Sequence, residues 1–141
     1  MKKIFFMLFI LPFAIGCDGG SANNNNPNIP NYAVNLQINL NLPAYSNLQF
    51  PGNRIIDFSQ GARGIVVFNT GSGFVAYDLA CPNIAFTICT TPMSVTQGSI
   101  NATCDCDDTV YSLYTGQSAG QQYPMKAYRV NLNGSTLVIT N

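Results

Sequence analysis

The sequence predicts a small all-β domain, a barrel or sandwich of antiparallel strands. After Tyr32, apolar residues alternate with polar ones in several short runs, and glycine-containing turns separate these runs. No stretch has the periodicity of an amphipathic helix. The chain has 141 residues, of which 47% are hydrophobic, so it suits one domain with one packed core.

The first segment of the chain has the pattern of an export signal. Lys2 and Lys3 precede an apolar run that is too short to span a bilayer and contains Pro12. The residues Ala14–Cys17 resemble the lipobox of bacterial, Bacteroidetes-like lipoproteins. This resemblance implies a signal peptide over residues 1–16 and a lipid on Cys17, whereas an ordinary signal peptide cut near Gly16 is the alternative.

A polar, asparagine-rich segment follows the signal. It has no apolar periodicity, so we expect a disordered tether over residues 17–31 and a folded domain over 32–141. The expected location is the cell envelope, with the lipid anchor in the outer membrane or at the periplasmic face. The membrane is then one partner, and an unknown protein is expected as another.

The composition excludes several function classes. The chain has no His, so Ser-His-Asp and Cys-His catalysis are excluded, and an enzyme is not expected. Six Lys and Arg balance six acidic residues, all of them Asp, and no basic cluster marks a nucleic-acid surface. Asp57 and Asp78 are isolated charges, which we expect at the surface or in turns.

The predicted strands follow one another along the chain from Val34. Val34, Leu36, Ile38 and Leu40 alternate with polar residues, as in a half-buried strand, and a loop with Pro43, Pro51 and Gly52 comes next. Residues Thr70–Gly73 indicate a hairpin between Gly64–Asn69 and Phe74–Tyr77. Further strands are expected at Ser99–Thr103, Val110–Leu113 and Met125–Asn131, and Asn133-Gly134 predicts a two-residue turn between Tyr128–Asn131 and Thr136–Ile139.

Four cysteines lie in the predicted domain, in two loops that follow strands. Cys81 and Cys89 belong to the first loop, and Cys104 and Cys106 belong to the second. An even number in an exported chain predicts two disulfides, for which three connectivities are open. Two cysteine loops at neighbouring strand ends are also what a shared metal site needs.

The cysteine loops resemble those of the Rieske iron–sulfur family. That family uses C-x-H in one loop and C-x-x-H in the other, so that two Cys bind one iron and two His bind the second. Cys81 and Cys104 stand at the two cysteine positions, and Asn83 and Asp107 stand at the two histidine positions. The resemblance extends through two downstream segments, Val110–Gly116 and Tyr123–Val130, and covers about residues 48–141.

The resemblance implies a Rieske-like domain that has lost its [2Fe–2S] cluster, because both histidines are absent. Asn83 is a poor iron ligand, and Asp107 is a hard oxygen donor. Lys2-Lys3 is also not the twin-arginine signal with which cluster-bearing exported members cross the membrane folded. The two family cysteine ligands face each other, which implies the pairing Cys81–Cys104. Cys89 and Cys106 match the family's second, inter-loop disulfide.

This interpretation predicts a structural or interaction module without metal or other cofactor, and two alternatives stay open. One is an electron-transfer protein that binds a [2Fe–2S] cluster or a single iron through Cys81, Cys104 and Asp107. The other is a surface β-sandwich that binds glycans or proteins through exposed aromatic residues such as Tyr45, Phe50 or Tyr123. The distance between the Cα atoms of Cys81 and Cys104 discriminates between these interpretations. Beyond about 7 Å, neither a disulfide nor a shared iron is feasible. The acidic cluster Asp105, Asp107 and Asp108 is interpreted as a solvated loop rather than a calcium site.

Overall fold

The predicted all-β class is confirmed. A computed structural model describes residues 25–141, so the predicted signal peptide, Cys17 and the first part of the tether lie outside the described residues. None of the helical segments in the described part of the chain has the length and hydropathy of a membrane span. The strands are β1 (Asn35–Asn39), β2 (Arg54–Asp57), β3 (Ile65–Asn69), β4 (Phe74–Asp78), β5 (Asn101–Thr103), β6 (Val110–Ser112), β7 (Ala127–Asn133) and β8 (Thr136–Thr140), and a 3-10 helix covers Pro43–Gln49.

Six strands form one curled antiparallel sheet, in the order β1-β8-β7-β4-β3-β2. Strand β7 connects the two ends of this sheet. Its first two residues pair with β4, and its remaining five pair with β8. Strands β5 and β6 form a separate two-stranded hairpin. The connections from β4 to β5 and from β5 to β6 carry the four cysteines, so both cysteine loops lie beside the hairpin.

The sheet separates two hydrophobic clusters. Strand β3 is buried on both faces: Ile65 and Val67 belong to one cluster, and Val66 and Phe68 belong to the other. The sheet core consists of Val34, Leu36, Ile38, Leu40, Leu48, Ile65, Val67, Ala76, Tyr128, Leu137 and Ile139. The cysteine core consists of Val66, Phe68, Tyr77, Leu79, Cys81, Cys89, Met93, Ala102, Cys104, Tyr111, Leu113 and Met125.

The two predicted hairpins form, but one turn lies one residue further along. Thr70–Gly73 connects β3 to β4 as predicted, with Asn69 paired to Phe74. In the last hairpin Asn133 pairs with Thr136, so the turn residues are Gly134 and Ser135 rather than Asn133 and Gly134. Gly134 has a positive φ of 61°, and it is the only one of the two turn residues with positive φ. This fits a type II′ turn, since type I′ needs positive φ at both positions.

The segment between β1 and β3 was predicted as a loop and contains two regular elements. The 3-10 helix begins at Pro43, as Pro at a first helical turn allows, and it buries Leu48. Strand β2 pairs with β3 through the whole length of Arg54–Asp57. Its four residues are all half-buried and do not alternate, so the sequence carries no period-two pattern there.

The end of the predicted tether packs on the domain. The side-chain amides of Asn26 and Asn28 both donate to the Pro82 carbonyl at 2.9 Å. Ile29 is buried, and Lys126 Nζ donates to the Pro30 carbonyl at 2.9 Å. Contact with the domain therefore begins several residues before the expected boundary at residue 32. The hydrogen bonds of the two amides and the burial of one isoleucine offset the conformational entropy lost when this polar segment is ordered.

Candidate functional site

The four cysteines form the two disulfides that the family resemblance implied. Cys81 bonds to Cys104 with a Cα–Cα distance of 5.5 Å, and Cys89 bonds to Cys106 with a Cα–Cα distance of 6.0 Å. The Cα–Cα distance between Cys81 and Cys104 is below the limit of about 7 Å for a disulfide. Both bridges join the loop after β4 to the loop after β5, so they tie the two cysteine loops together.

The two disulfides are in contact with each other. The Sγ atoms of Cys89 and Cys81 lie 3.4 Å apart, and all four sulfur atoms lie within 4.8 Å of one another. Cys81, Cys89 and Cys104 are buried in the cysteine core, whereas Cys106 is exposed. The site is thus a compact group of four cysteines, of which one, Cys106, is a surface residue.

The second cysteine loop is a closed turn that presents Cys106. The N–H of Cys104 donates to the Thr109 carbonyl at 2.8 Å, and the N–H of Asp108 donates to the Cys104 carbonyl at 2.9 Å. Asp108 has a φ of 58°, a conformation that Asp tolerates better than most residues. The Asp107 carboxylate accepts from the Thr109 N–H at 3.0 Å. Asp105, Asp107 and Asp108 are all exposed, which agrees with a solvated acidic loop.

Asn83 connects the first cysteine loop to the segment before β7. Its side-chain amide donates to Tyr111 Oη at 2.9 Å and to the Tyr123 carbonyl at 2.8 Å. Its side-chain oxygen accepts from the Tyr123 N–H at 3.0 Å. Burial raises the pKa of the Tyr111 hydroxyl, which accepts the hydrogen bond from Asn83.

The family's [2Fe–2S] ligand set does not fit these residues. Two of its four positions, Cys81 and Cys104, are bonded to each other. The polar atoms of Asn83 are all hydrogen-bonded within the protein, and the Asp107 carboxylate caps its own loop at the surface. The donor chemistry therefore offers no place for the second iron, which the family holds through two imidazoles.

Two arginines that the sequence did not single out bind the loop between β4 and β5, which is the first cysteine loop. Arg63 donates to the Phe86 carbonyl at 3.0 Å, and its guanidinium carbon lies 3.9 Å from the centre of the Phe86 ring. Arg54, on β2, donates to the carbonyls of Ser99 at 3.2 Å and Val95 at 3.1 Å. Each arginine satisfies carbonyl groups of a segment with little regular structure.

Asp78 is fully buried, so its expected place at the surface or in a turn is wrong. Its carboxylate accepts from the N–H groups of Ala62 at 2.6 Å, Arg63 at 3.1 Å and Ala80 at 2.8 Å. It also accepts from Tyr128 Oη at 2.7 Å, and burial together with this carboxylate raises the pKa of Tyr128. Asp78 thereby fixes the start of the first cysteine loop to the sheet. A lone Asp at the end of a strand carries no sequence signal for this role.

The aromatic residues named for glycan binding lie in different parts of the molecule. Tyr45 is half-buried against the sheet core, and Phe50 is 63% exposed. The Tyr123 N–H donates to Asn83 of the first cysteine loop, and Tyr123 lines a depression of about 270 Å³ with polar neighbours. Tyr45 and Tyr123 therefore do not belong to one aromatic face.

Comparison with known proteins gives structural similarity only. No protein-family model and no curated protein matches the sequence. A solved structure described as the small subunit of an NADPH nitrite reductase covers 74% of this chain and 97% of its own, with 16% identity and a TM-score of 0.42. The ferredoxin of carbazole 1,9a-dioxygenase from Nocardioides aromaticivorans covers 66% and 90%, with 16% identity and a TM-score of 0.42. A structure described as an NADH-dependent nitrite reductase small subunit from Mycobacterium tuberculosis covers 79% and 97%, with 13% identity and a TM-score of 0.44.

Proposed function

We propose that this chain is an exported lipoprotein whose Rieske-like domain holds two disulfides in place of an iron–sulfur cluster. In this proposal the domain is a cofactor-free structural or interaction module of the cell envelope, and it is not an enzyme. The observation that carries the proposal is the pair of disulfides that joins the two loops. Of the three possible pairings of the four cysteines, the resemblance of the loops to the Rieske family implies this one.

The surroundings of the disulfides support the same function. Asn83 and Asp107 stand at the family's histidine positions, and both side chains serve the protein's own backbone. The Cys81–Cys104 bridge joins the two cysteines that bind iron in the family. Covalent closure of the loops therefore takes over the structural role that a cluster has in holding two loops together.

The proposed anchor places this site close to a membrane. Asn26 contacts Pro82, next to Cys81, so the chain enters the domain beside the first cysteine loop. The segment from Cys17 to Asn26 spans at most about 30 Å when fully extended, at roughly 3.4 Å per residue. A lipid on Cys17 would keep the cysteine loops within about that distance of the bilayer surface.

The cofactor content tests the proposal directly. The full chain is exported to a periplasm and purified, and its iron, its visible absorbance and its free thiols under denaturing, non-reducing conditions are measured. We expect no iron, no visible absorbance and no free thiol in the domain. Near-stoichiometric iron together with two titratable thiols would instead establish the electron-transfer alternative, in which Cys81, Cys104 and Asp107 bind the metal.

The anchor is tested separately with the substitution Cys17→Ser. We expect the purified unchanged chain to begin at Cys17 and to carry fatty acid on it in mass spectra, and the Cys17→Ser chain to carry none. Asp18→Ser, which changes the neighbouring residue and leaves the cysteine, is the matched control and should keep the fatty acid. An unchanged chain without fatty acid on Cys17 would contradict the lipoprotein assignment.

A further inference from the structure

The contact between the two disulfides has a chemical consequence. Thiol–disulfide exchange needs a thiolate in contact with a sulfur atom of a disulfide. Cys89 Sγ is 3.4 Å from Cys81 Sγ, so each of these atoms lies beside the other bridge. We propose that the two bridges form a thiol–disulfide exchange relay. An external thiol attacks Cys106 and breaks the Cys89–Cys106 bond, and the released Cys89 then breaks the buried Cys81–Cys104 bond.

The relay begins at Cys106, which is exposed, whereas Cys81, Cys89 and Cys104 are buried. An external thiolate attacks Cys106 Sγ, forms a mixed disulfide there, breaks the Cys89–Cys106 bond and releases Cys89 as a thiolate. The Cys89 thiolate then attacks Cys81 Sγ, forms a Cys81–Cys89 bond and breaks the Cys81–Cys104 bond. Cys104 leaves as a thiolate and takes a proton from water. A second external thiolate attacks the external sulfur of the mixed disulfide, which releases Cys106 and forms the external disulfide, so two external thiols are oxidised and one protein disulfide is reduced.

Burial gives the relay its direction. Cys104, Cys89 and Cys81 are only 1%, 3% and 4% exposed, whereas Cys106 lies in the exposed closed turn. An external thiol therefore reaches Cys106 first, because access decides which sulfur is attacked. The buried bridge opens only through Cys89.

Thr91 lies where the thiolate forms. Its hydroxyl oxygen is 3.7 Å from Cys106 Sγ and 3.9 Å from Cys89 Sγ. A hydroxyl can donate to either sulfur once that sulfur carries a negative charge, and such a charge-assisted hydrogen bond is stronger than a neutral one. Thr91 is thus a positioning residue for the first step.

The charge around Cys106 selects the kind of external thiol. Asp105 and Asp107 flank Cys106 in sequence, and both are exposed. Their negative charge repels an anionic thiol and attracts a cationic one, and salt screens both effects. The partner expected from this chemistry is a thiol that carries positive charge or lies on a basic protein surface.

The substitution Cys104→Ser tests the contact on which the relay depends. It leaves a Cys81 thiol beside the Cys89–Cys106 bridge, and attack on Cys89 would free the exposed Cys106. With iodoacetamide present, we expect the label on Cys106 and a Cys81–Cys89 bond in non-reduced peptide maps. The matched control Cys81→Ser removes the other half of the same bridge. It leaves Cys104 in place of Cys81 as the free thiol of this group, and Cys106 should be labelled more slowly, because the 3.4 Å contact on which the relay depends belongs to Cys81. Equal labelling in the two variants, or an unlabelled Cys106 in Cys104→Ser, would refute the relay.

A measurement on the unchanged chain covers the case in which these variants do not fold. The full chain is treated briefly with cysteamine, quenched with acid and alkylated, and the first opened species is mapped. We expect cysteamine on Cys106, a Cys81–Cys89 bond and the alkyl label on Cys104. A label on Cys89 with an intact Cys81–Cys104 bridge would overturn the relay, although a cofactor-free module would remain consistent with that result.

The charge preference has its own readout. At low salt we expect cysteamine to open the protein roughly three- to tenfold faster than 3-mercaptopropionate, after correction for the two thiols' rates with a neutral model disulfide. High salt should reduce this ratio, and Asp105→Asn should reduce it at low salt. An unchanged ratio in both cases would show that the acidic loop does not select the thiol.

Discussion

The sheet core and the cysteine core are held together in different ways. The sheet core is built from alternating strands, and its central residues Ile38, Ile65 and Leu137 are fully buried between β1, β3 and β8. The cysteine core is built mostly from loops, and its own hairpin, β5 with β6, has only three residues in each strand. The two disulfides lie entirely in this second half.

This difference shows how the chain compensates for missing regular structure. A long hairpin satisfies its backbone groups within the ladder, but an irregular loop must find other partners. In the cysteine half those partners are side chains, because Arg54, Arg63, Asn83 and Asp78 bind backbone groups of the loops. The disulfides reduce the conformational freedom that the unfolded loops would otherwise have.

Removal of the buried bridge should have the largest effect. We expect Cys81→Ala with Cys104→Ala to lower the free energy of unfolding by about 4 kcal/mol, and Cys89→Ala with Cys106→Ala by about 3 kcal/mol. The sequence separations of 23 and 17 are similar, so loop entropy alone predicts a difference of about 0.3 kcal/mol. The remainder comes from burial, since Cys106 is exposed. Urea denaturation without reductant measures both values, and a larger loss for the second pair would contradict this ranking.

The stability of the sheet core should depend on the burial of apolar side chains alone. Ile38→Ala removes a fully buried side chain from β1 and should cost about 3 kcal/mol in urea denaturation. Gln37→Ala, at the exposed neighbouring position, should change the stability by less than about 0.5 kcal/mol. If Ile38→Ala were as mild as Gln37→Ala, the sheet core would not stabilise its half of the molecule as described.

The connection between the halves should be sensitive at Asp78. Asp78→Asn places an amide donor against one of the N–H or O–H donors that the carboxylate accepts, and we expect a loss of about 2 kcal/mol. Asp57→Asn is the control, since Asp57 is half-buried and, among the described residues, its carboxylate accepts only from Ser59, two positions along the chain. Thermal denaturation should separate the two variants, and equal melting temperatures would mean that the buried network contributes nothing.

High pH should weaken both halves through their buried tyrosines. Burial raises the pKa values of Tyr77 and Tyr111 in the cysteine core and of Tyr128 in the sheet core. The folded state then retains phenolic protons that the unfolded state loses above about pH 10, so stability falls as the pH rises past that value. Each such tyrosine contributes at most about 1.4 kcal/mol per pH unit. Tyr128→Phe should flatten this decline in urea titrations between pH 10 and 11, and an unchanged slope would exclude Tyr128 as a cause.

The sequence by itself determined the class of the fold and most of the strands. Alternation at Val34, Leu36, Ile38 and Leu40 is a local pattern that one buried face requires, so β1 could be predicted without knowing its partner. The turn at Thr70–Gly73 is equally local. The cysteine pairing needed more than spacing, because three connectivities were open and only the resemblance of the loops selected one.

The tertiary structure decided the features that depend on residues far apart in the chain. Strand β2 forms because β3 offers an open edge, and the short run Arg54–Asp57 has no alternation of its own to reveal it. Asp78 is buried because the N–H groups of Ala62, Arg63 and Ala80 and the Tyr128 hydroxyl converge on it. The 3.4 Å contact between Cys81 and Cys89, which belong to the same loop, likewise depends on the two disulfides that join this loop to the second cysteine loop. Local patterns report which face of an element is apolar, but only the assembled chain determines which polar groups and sulfur atoms meet.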